Sequence, residues 1–492
     1  MEALAEHVSG TGQENEDCDG FPPQHLIPCD PRDDPKDGAA TRDESQELNE
    51  RSNDCELGHG LCWVVGSFES YGLFGPTSTI TGILLPVMPN THHKQSHPFR
   101  THRHSLSHVG ALPALATNRL LGFTASSVTG MFLPIFLYEF FGMSIQLVLL
   151  WYAINFIVKI PFQVLGAKIF SRTGLVPSMI FGVLGIMLFY WMFYLIDAGS
   201  TINPYTLMGV GIFGLMIVSV FYWSPFHIDF AEFSSKTHRG KQVGIFYAAQ
   251  RFISVIAPLI AGWVITQYGY KINFALALII VSTSIVPLLF LPPFKVTYEF
   301  GFVESFQKLF SKKFRGMTTS MMAYGAENIV GFAVWPIFLF SIFDGDYLNV
   351  GVFTAVIVVI SLALEVFIGR ASDKFSPVRM LKMGTGVYAL GWVWKGLVET
   401  VVGVFAASTF HNLGSIMLRT PMDTLMYEQA ADSGHYVDEY TVLREIALSM
   451  GRVAMLLFLM LITTYFSLSV TFFIAALTSL GINSLSEYSA KS

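Results

Sequence analysis

From Asn118 almost to the C-terminus, apolar runs follow one another with short polar breaks between them. Each run reaches about 18 residues or more, enough to cross a ~30 Å hydrocarbon core as a helix. No soluble fold buries so many. Charged residues make up only 13% of the chain, roughly half the share usual in soluble domains. The first hundred residues are polar, so the apolar content is concentrated downstream. The expected class is an all-α membrane protein of about twelve transmembrane helices, at 119–141, 144–166, 174–196, 203–227, 241–266, 271–293, 316–342, 348–369, 380–400, 402–425, 441–464 and 466–486.

Residues 1–114 read as a polar, disordered segment, rich near its start in Asp, Glu, Gly, Pro and Asn without periodicity. Its first ten residues lack the basic and apolar regions of a signal peptide. Two readings stay open for it: a solvated tail, or sequence lying upstream of the natural start. Residues 61–90 are more apolar but are broken by Gly66, Gly72, Gly75, Pro76, Pro86 and Pro89, and are not counted as a span. Cys18, Cys29, Cys55 and Cys62 all lie in this segment, as do His92, His93, His97, His102, His104 and His108. Their spacings match no paired zinc pattern, so neither metal nor cofactor is expected.

Lys and Arg orient the chain. Basic loops follow the even-numbered spans, through Lys168 and Arg172, Lys236, Arg239 and Lys241, Lys295 to Arg315, and Arg370 to Lys382. Loops after odd-numbered spans are nearly free of them, with Lys271 the exception. The positive-inside rule makes the basic side cytoplasmic and puts both termini there. A cell-membrane, multi-pass protein is expected. The central break, 294–315, interleaves Phe300, Phe302, Phe306, Leu309 and Phe310 with Lys308, Lys312 and Lys313, the pattern of a helix lying at the membrane interface. It separates an N-terminal six-helix half, 115–293, from a C-terminal one, 316–492.

The halves carry traces of one pattern. Arg172 and Lys374 follow the second and eighth spans, and Arg251 and Arg452 sit in the fifth and eleventh, both pairs about 200 residues apart. Parallel six-helix halves are a transporter architecture. Here the residues resemble the major facilitator superfamily, whose loop signature G-x-x-x-D-[RK]-x-G-[RK]-[RK] is best copied by Gly369, Asp373 and Lys374, with Ser376 in place of the glycine. The first copy keeps Arg172 and Gly174 but has Ser171 where the acid belongs. Ala257-Pro258-Leu259-Ile260-Ala261-Gly262 is similar to the family's G-P-x-x-G-G antiporter motif, whereas the arginine many proton antiporters carry in the fourth span is absent. The resemblance implies two pseudo-symmetric halves around a cavity lined by the first, fourth, seventh and tenth spans.

A charge at mid-bilayer costs about 3 kcal/mol or more unless paired or wetted, so intramembrane charges are the candidate site residues. For substrate or proton contact these are Glu327 with Asn328, Gln250 with Arg251, and His411 with Asn412. For gating they are Arg172, Asp229, Glu365, Asp373, Lys374, Arg419, Asp423, Arg444, Glu445 and Arg452, with Glu445 and Arg452 on one helix face. Each has a plainer reading as a static structural contact. Lys159 reads as snorkelling to the interface; Trp335, Trp392 and Trp394 read as packing. No HExxH and no paired Asp/His cluster falls within the spans, so an enzyme is not expected. The expected function is secondary active transport of a small-molecule solute by alternating access, coupled to protons or another ion, with a lean to export. The lipid bilayer is the other partner, nucleic acid is not one, and a monomer suffices. The alternative is a transporter-like receptor or scaffold without net flux.

Overall fold

A computed structural model describes residues 108–223, 225–226, 239–293, 300–372, 375–432 and 437–485. Within them every expected span falls on a helix. The first half comprises α1 (His108–Gly130, continued by Phe132–Phe140 beyond a 42° bend), α2 (Ile145–Thr173), α3 (Leu175–Asp197), α4 (Pro204–Phe221), α5 (Arg239–Tyr268) and α6 (Tyr270–Leu288). The second comprises α7 (Arg315–Ile342), α8 (Tyr347–Ser372), α9 (Pro377–Leu397), α10 (Val401–Asp432), α11 (Val437–Tyr465) and α12 (Val470–Asn483). Nine are long and apolar enough to span on their own among the described residues, and bent α1 makes ten. Polar Thr, Gly and Lys residues lower the hydropathy of α9, and α12 is short. Helix α1 starts at His108, inside the segment expected to be unstructured. The His and Cys residues upstream of it lie outside the described residues.

Local chemistry sets the breaks. Asn203 accepts a hydrogen bond from Tyr205 N at 2.9 Å and Pro204 occupies the first turn, so α4 begins there. Gly174, at φ +96°, ends α2. At the corresponding place after α8, Ser376 stands at φ −64° and caps α9 by accepting from Arg379 N at 3.4 Å. Gly174 likewise precedes α3 as its N-cap, but with no side chain to accept a capping bond, so the serine that replaces the signature glycine adds one.

Helix α2 shows how the sequence sorts its faces. Leu147, Leu150, Ile154, Ile157 and Leu165 recur at helical spacing and are exposed, a surface suited only to lipid. On the opposite face Val148, Tyr152, Phe156, Lys159 and Gln163 are buried. The packing repeats with a step of six helices. Pairs α1·α5, α1·α6, α2·α4, α3·α4 and α3·α6 are matched by α7·α11, α7·α12, α8·α10, α9·α10 and α9·α12. Two further pairs, α2·α11 and α5·α8, are the broad seams between the halves.

Small residues set the closest approaches. A Cβ on Gly325 of α7 would lie 2.2 Å from Leu448 O of α11, and one on Gly451 of α11 would lie 2.0 Å from Met322 O of α7. In the α5·α8 seam a Cβ on Gly262 would sit 2.5 Å from Tyr347 O, and one on Gly351 would sit 2.4 Å from Pro258 O. Small residues let backbones touch, which is how membrane helices gain contact where no water drives them together. Gly451→Val is therefore expected to push α11 off α7 and to cost about 1–3 kcal/mol or more. The Tm of detergent-purified protein and its monodisperse yield check this, with the exposed-face Leu461→Val as the neutral comparison.

Candidate functional site

Both seams hold a buried ion pair. In α2·α11, Lys159 Nζ lies 3.1 Å from Glu445 Oε2. In α5·α8, Arg251 Nη2 lies 2.7 Å from Glu365 Oε1. The Lys159 side chain is 4% exposed, so the expected snorkelling does not occur: the inward face of α2 turns the amine towards α11. Glu445 and Arg452 do share a face, but Glu445 serves Lys159. Arg452 instead donates to Asn328 Oδ1 at 3.0 Å and rests over the Phe156 ring at 4.9 Å. Arg444 lies within electrostatic reach of both Lys159 and Glu445. Arg251 and Glu365, assigned to separate groups from sequence, meet as one pair.

Glu327 and Asn328 are neighbours on α7, so their side chains diverge by about 100°. Asn328 turns to α11 and the seam. Glu327 turns into the C-terminal half, where Tyr388 Oη and Trp392 Nε1 of α9 donate to its Oε1 at 2.5 and 3.0 Å. Trp392 is thus a hydrogen-bond donor to an acid as well as a packing residue. Lys395, 1% exposed, lies one turn further along α9, its Nζ 3.9 Å from the Trp335 ring centre and 4.7 Å from that of Trp392. Among the described residues that amine makes no hydrogen bond; the two indole faces and the nearby Glu327 charge hold it. His411 of α10 joins the cluster, its ring 4.2 Å from Tyr388 and 4.5 Å from Trp392.

The other half shows what this cluster replaces. Tyr190 of α3 contacts Thr129 of α1 at 3.2 Å between hydroxyls, while Phe193 packs among Phe136 and Phe274 with ring centres 5.7 and 5.5 Å away. Counted from the helix starts, Trp392 and Lys395 take the places on α9 that Tyr190 and Phe193 take on α3. An indole and an amine stand where the first half has a phenol and a phenyl ring. The C-terminal half therefore carries buried charge that its fold does not demand.

The remaining candidates are more dispersed. Asn412 donates to Ser361 Oγ of α8 at 2.7 Å. Gln250 is buried on α5, and its carbonyl accepts from Ser254 Oγ at 3.0 Å. Arg419 and Asp423 are buried on α10, with the Arg419 guanidinium 5.7 Å from the Tyr324 ring centre. Arg172 is exposed in the last turn of α2. Asp229, Asp373 and Lys374 lie outside the described residues. Sequence reasoning passed over Tyr388, gave Lys395 no role, and discounted Lys159 and Trp392. The available signal was the repeat itself, since setting α9 against α3 exposes Lys395 as the odd residue.

Two features bear on movement. A π-helical turn, Val330–Val334, interrupts α7 just beyond Asn328 and is followed by Pro336. Such turns recur at functional sites. At the end of the bundle where basic loops are scarce, Tyr347 Oη of α8 donates to Glu139 Oε1 of α1 at 2.5 Å, and Gln146 Nε2 of α2 donates to Thr463 O of α11 at 3.1 Å.

Comparison with known proteins places this geometry. Residues 115–318 match the model of the Major Facilitator Superfamily. No curated protein sequence matches the chain. Among solved structures, a POT family transporter in complex with a thioalcohol-conjugated peptide is similar over 76% of this chain and 94% of its own, at 13% identity and a TM-score of 0.56. The human organic anion transporter MFSD10 (TETRAN) is similar over 77% and 99%, at 11% identity and 0.57. The transporter FucP in its outward conformation is similar over 78% and 99%, at 12% identity and 0.54.

Removing one partner of a buried pair leaves the other charge stranded, which costs about 3–5 kcal/mol, whereas apolar replacement of both is far milder. Lys159→Met is expected to lower the Tm clearly, and Lys159→Met with Glu445→Met to recover most of the loss. A double-mutant cycle on purified protein checks it, with the double variant expected to be more stable than either single variant.

Proposed function

We propose that this chain, whose fold is that of the major facilitator superfamily, moves a small solute across a membrane by alternating access, with Glu327 as the proton-coupling group. One observation carries the reading: both seams between the halves are tied by a buried ion pair. Well-packed apolar residues would hold a permanent seam as well or better, because burying charge is expensive. An ion pair suits a seam that opens, since water entering the gap solvates both charges as they part. Lys159–Glu445 and Arg251–Glu365 then act as latches that close one access path while the other is open.

The halves rock about the seams, and the solute is held between them near mid-membrane. Arg452 and Asn328, beside the α2·α11 latch, and Gln250, beside the α5·α8 latch, are the residues placed to meet it. A positive latch partner exposed by opening favours a solute with an anionic group. In the same reading Glu327 takes up a proton when α9 moves against α7, because that motion removes the Tyr388 and Trp392 donors that favour its anion. The basic loops face the cytoplasm, as do both termini. The degenerate motif in α5, packed by Gly262 on α8, favours export.

Proteoliposomes test this. Purified protein is reconstituted with an imposed proton gradient and screened with radiolabelled amino acids, dipeptides, sugars and organic acids. Wild type is expected to accumulate at least one class, and Glu327→Gln to lose gradient-driven accumulation while keeping its Tm within a few degrees. Full accumulation by Glu327→Gln removes that residue from the mechanism. Binding of a solute without flux in either direction favours the receptor-like alternative.

A further inference from the structure

The segment joining the halves forms a short helix, Phe302–Leu309, capped at its start by Glu304, which accepts from Gly301 N at 3.1 Å. One side of the segment is fully engaged: Ser305 and Leu309 are buried, Leu309 O accepts from Thr318 Oγ1 at 2.7 Å, and Phe300 and Phe314 are each 5% exposed. With that side the helix packs on both α2 and α11, one helix from each half.

The other side is open and has two kinds of residue. Phe302, Val303 and Phe310 are exposed, Val303 and Phe310 at 65% and 62%. Beside them Lys308, Lys312, Lys313 and Arg315 are exposed as well. Among the described residues 300–315 the sole acid, Glu304, is occupied by its capping bond and by Lys308 at 3.9 Å, so this described surface is positive. This patch leads straight into α7, which enters the apolar layer from Arg315. Apolar side chains beside a row of cations at a membrane boundary match the acyl edge and the phosphates of an anionic bilayer. A soluble acidic partner would complement the lysines but would leave Val303 and Phe310 without a counterpart.

We propose that this linker helix binds anionic phospholipid, with Lys308, Lys312, Lys313 and Arg315 on the headgroup phosphates and Phe302, Val303 and Phe310 among the acyl chains. Because the helix is clamped to both α2 and α11, the lipid-bound linker bears on the seam that contains Lys159 and Glu445. The composition of the inner leaflet thereby biases how readily the halves part.

The test uses the full chain in detergent micelles, with phosphatidylglycerol or phosphatidylcholine added at equal concentration, and reads lipid retention by native mass spectrometry and Tm. Wild type is expected to retain phosphatidylglycerol preferentially and to gain Tm from it, less so as salt is raised. Replacing Lys308, Lys312 and Lys313 together by Gln is expected to weaken that retention on the order of a hundredfold, while their replacement by Arg keeps it. Val303→Ser with Phe310→Ser is expected to weaken retention of both lipids. Equal retention of the two lipids by wild type, or undiminished preference in the Gln variant, overturns the proposal. Full competition by glycerol 1-phosphate, which lacks acyl chains, also overturns it, since the site would then read phosphate alone. No flux is measured, so the outcome stands apart from the transport reading.

Discussion

Inside a hydrocarbon layer there is no water to satisfy a charge, and the described part of this molecule is organised around where its charges go. Helices dispose of the backbone polar groups. What remains are side chains such as Lys159, Arg251, Glu327, Glu365, Lys395, Glu445 and Arg452, each of which has to find its counterpart in protein. The structure gives them four kinds of answer: a salt bridge across each seam, a carboxylate held by phenol and indole donors on a neighbouring helix, an amine between two indole faces, and a guanidinium on the Asn328 amide oxygen. Glu327 and Asn328, by pointing in different directions from one turn of α7, connect the second kind of answer to the first.

The duplicated architecture makes these choices interpretable. The two halves share helix contacts pair for pair, so each is a reference for the other. Where α3 has Tyr190 and Phe193, α9 has Trp392 and Lys395 at the same distance from its start. The loop signature diverges too: Gly174 and Ser376 both precede the next helix, one at positive φ without a cap bond, the other as a capping side chain. The amine is thus a feature of one half and not of the shared architecture.

Much of the fold was legible in the sequence. Apolar runs marked the helices of both halves, α9 and α12 less fully than the rest, and Gly or Pro marked most breaks. The start of α1 was misplaced because His108 to Ala114 carries little charge but also no long apolar run. The candidate site was legible by residue type rather than by pairing. Glu365 and Arg251, or Lys159 and Glu445, lie far apart in the chain, and nothing in one sequence says which distant cation meets which distant anion. Lys395 carried no assignment for a related reason: a single lysine within a span names no partner, and only the position of Trp335 shows what it meets. The amphipathic linker was legible in outline, but that its buried side grips both α2 and α11 emerged only in three dimensions.

The glycine contact between α7 and α11 has a mechanical consequence. With Gly325 against the Leu448 carbonyl and Gly451 against that of Met322, the two backbones interlock in both directions, like a tongue and groove. Sliding or twisting one past the other would drive carbonyl oxygens into the opposing chain. The pair thus behaves as a single stiff beam, with the Asn328–Arg452 hydrogen bond riding on it unchanged. Any rearrangement of this half therefore has to carry α7 and α11 together.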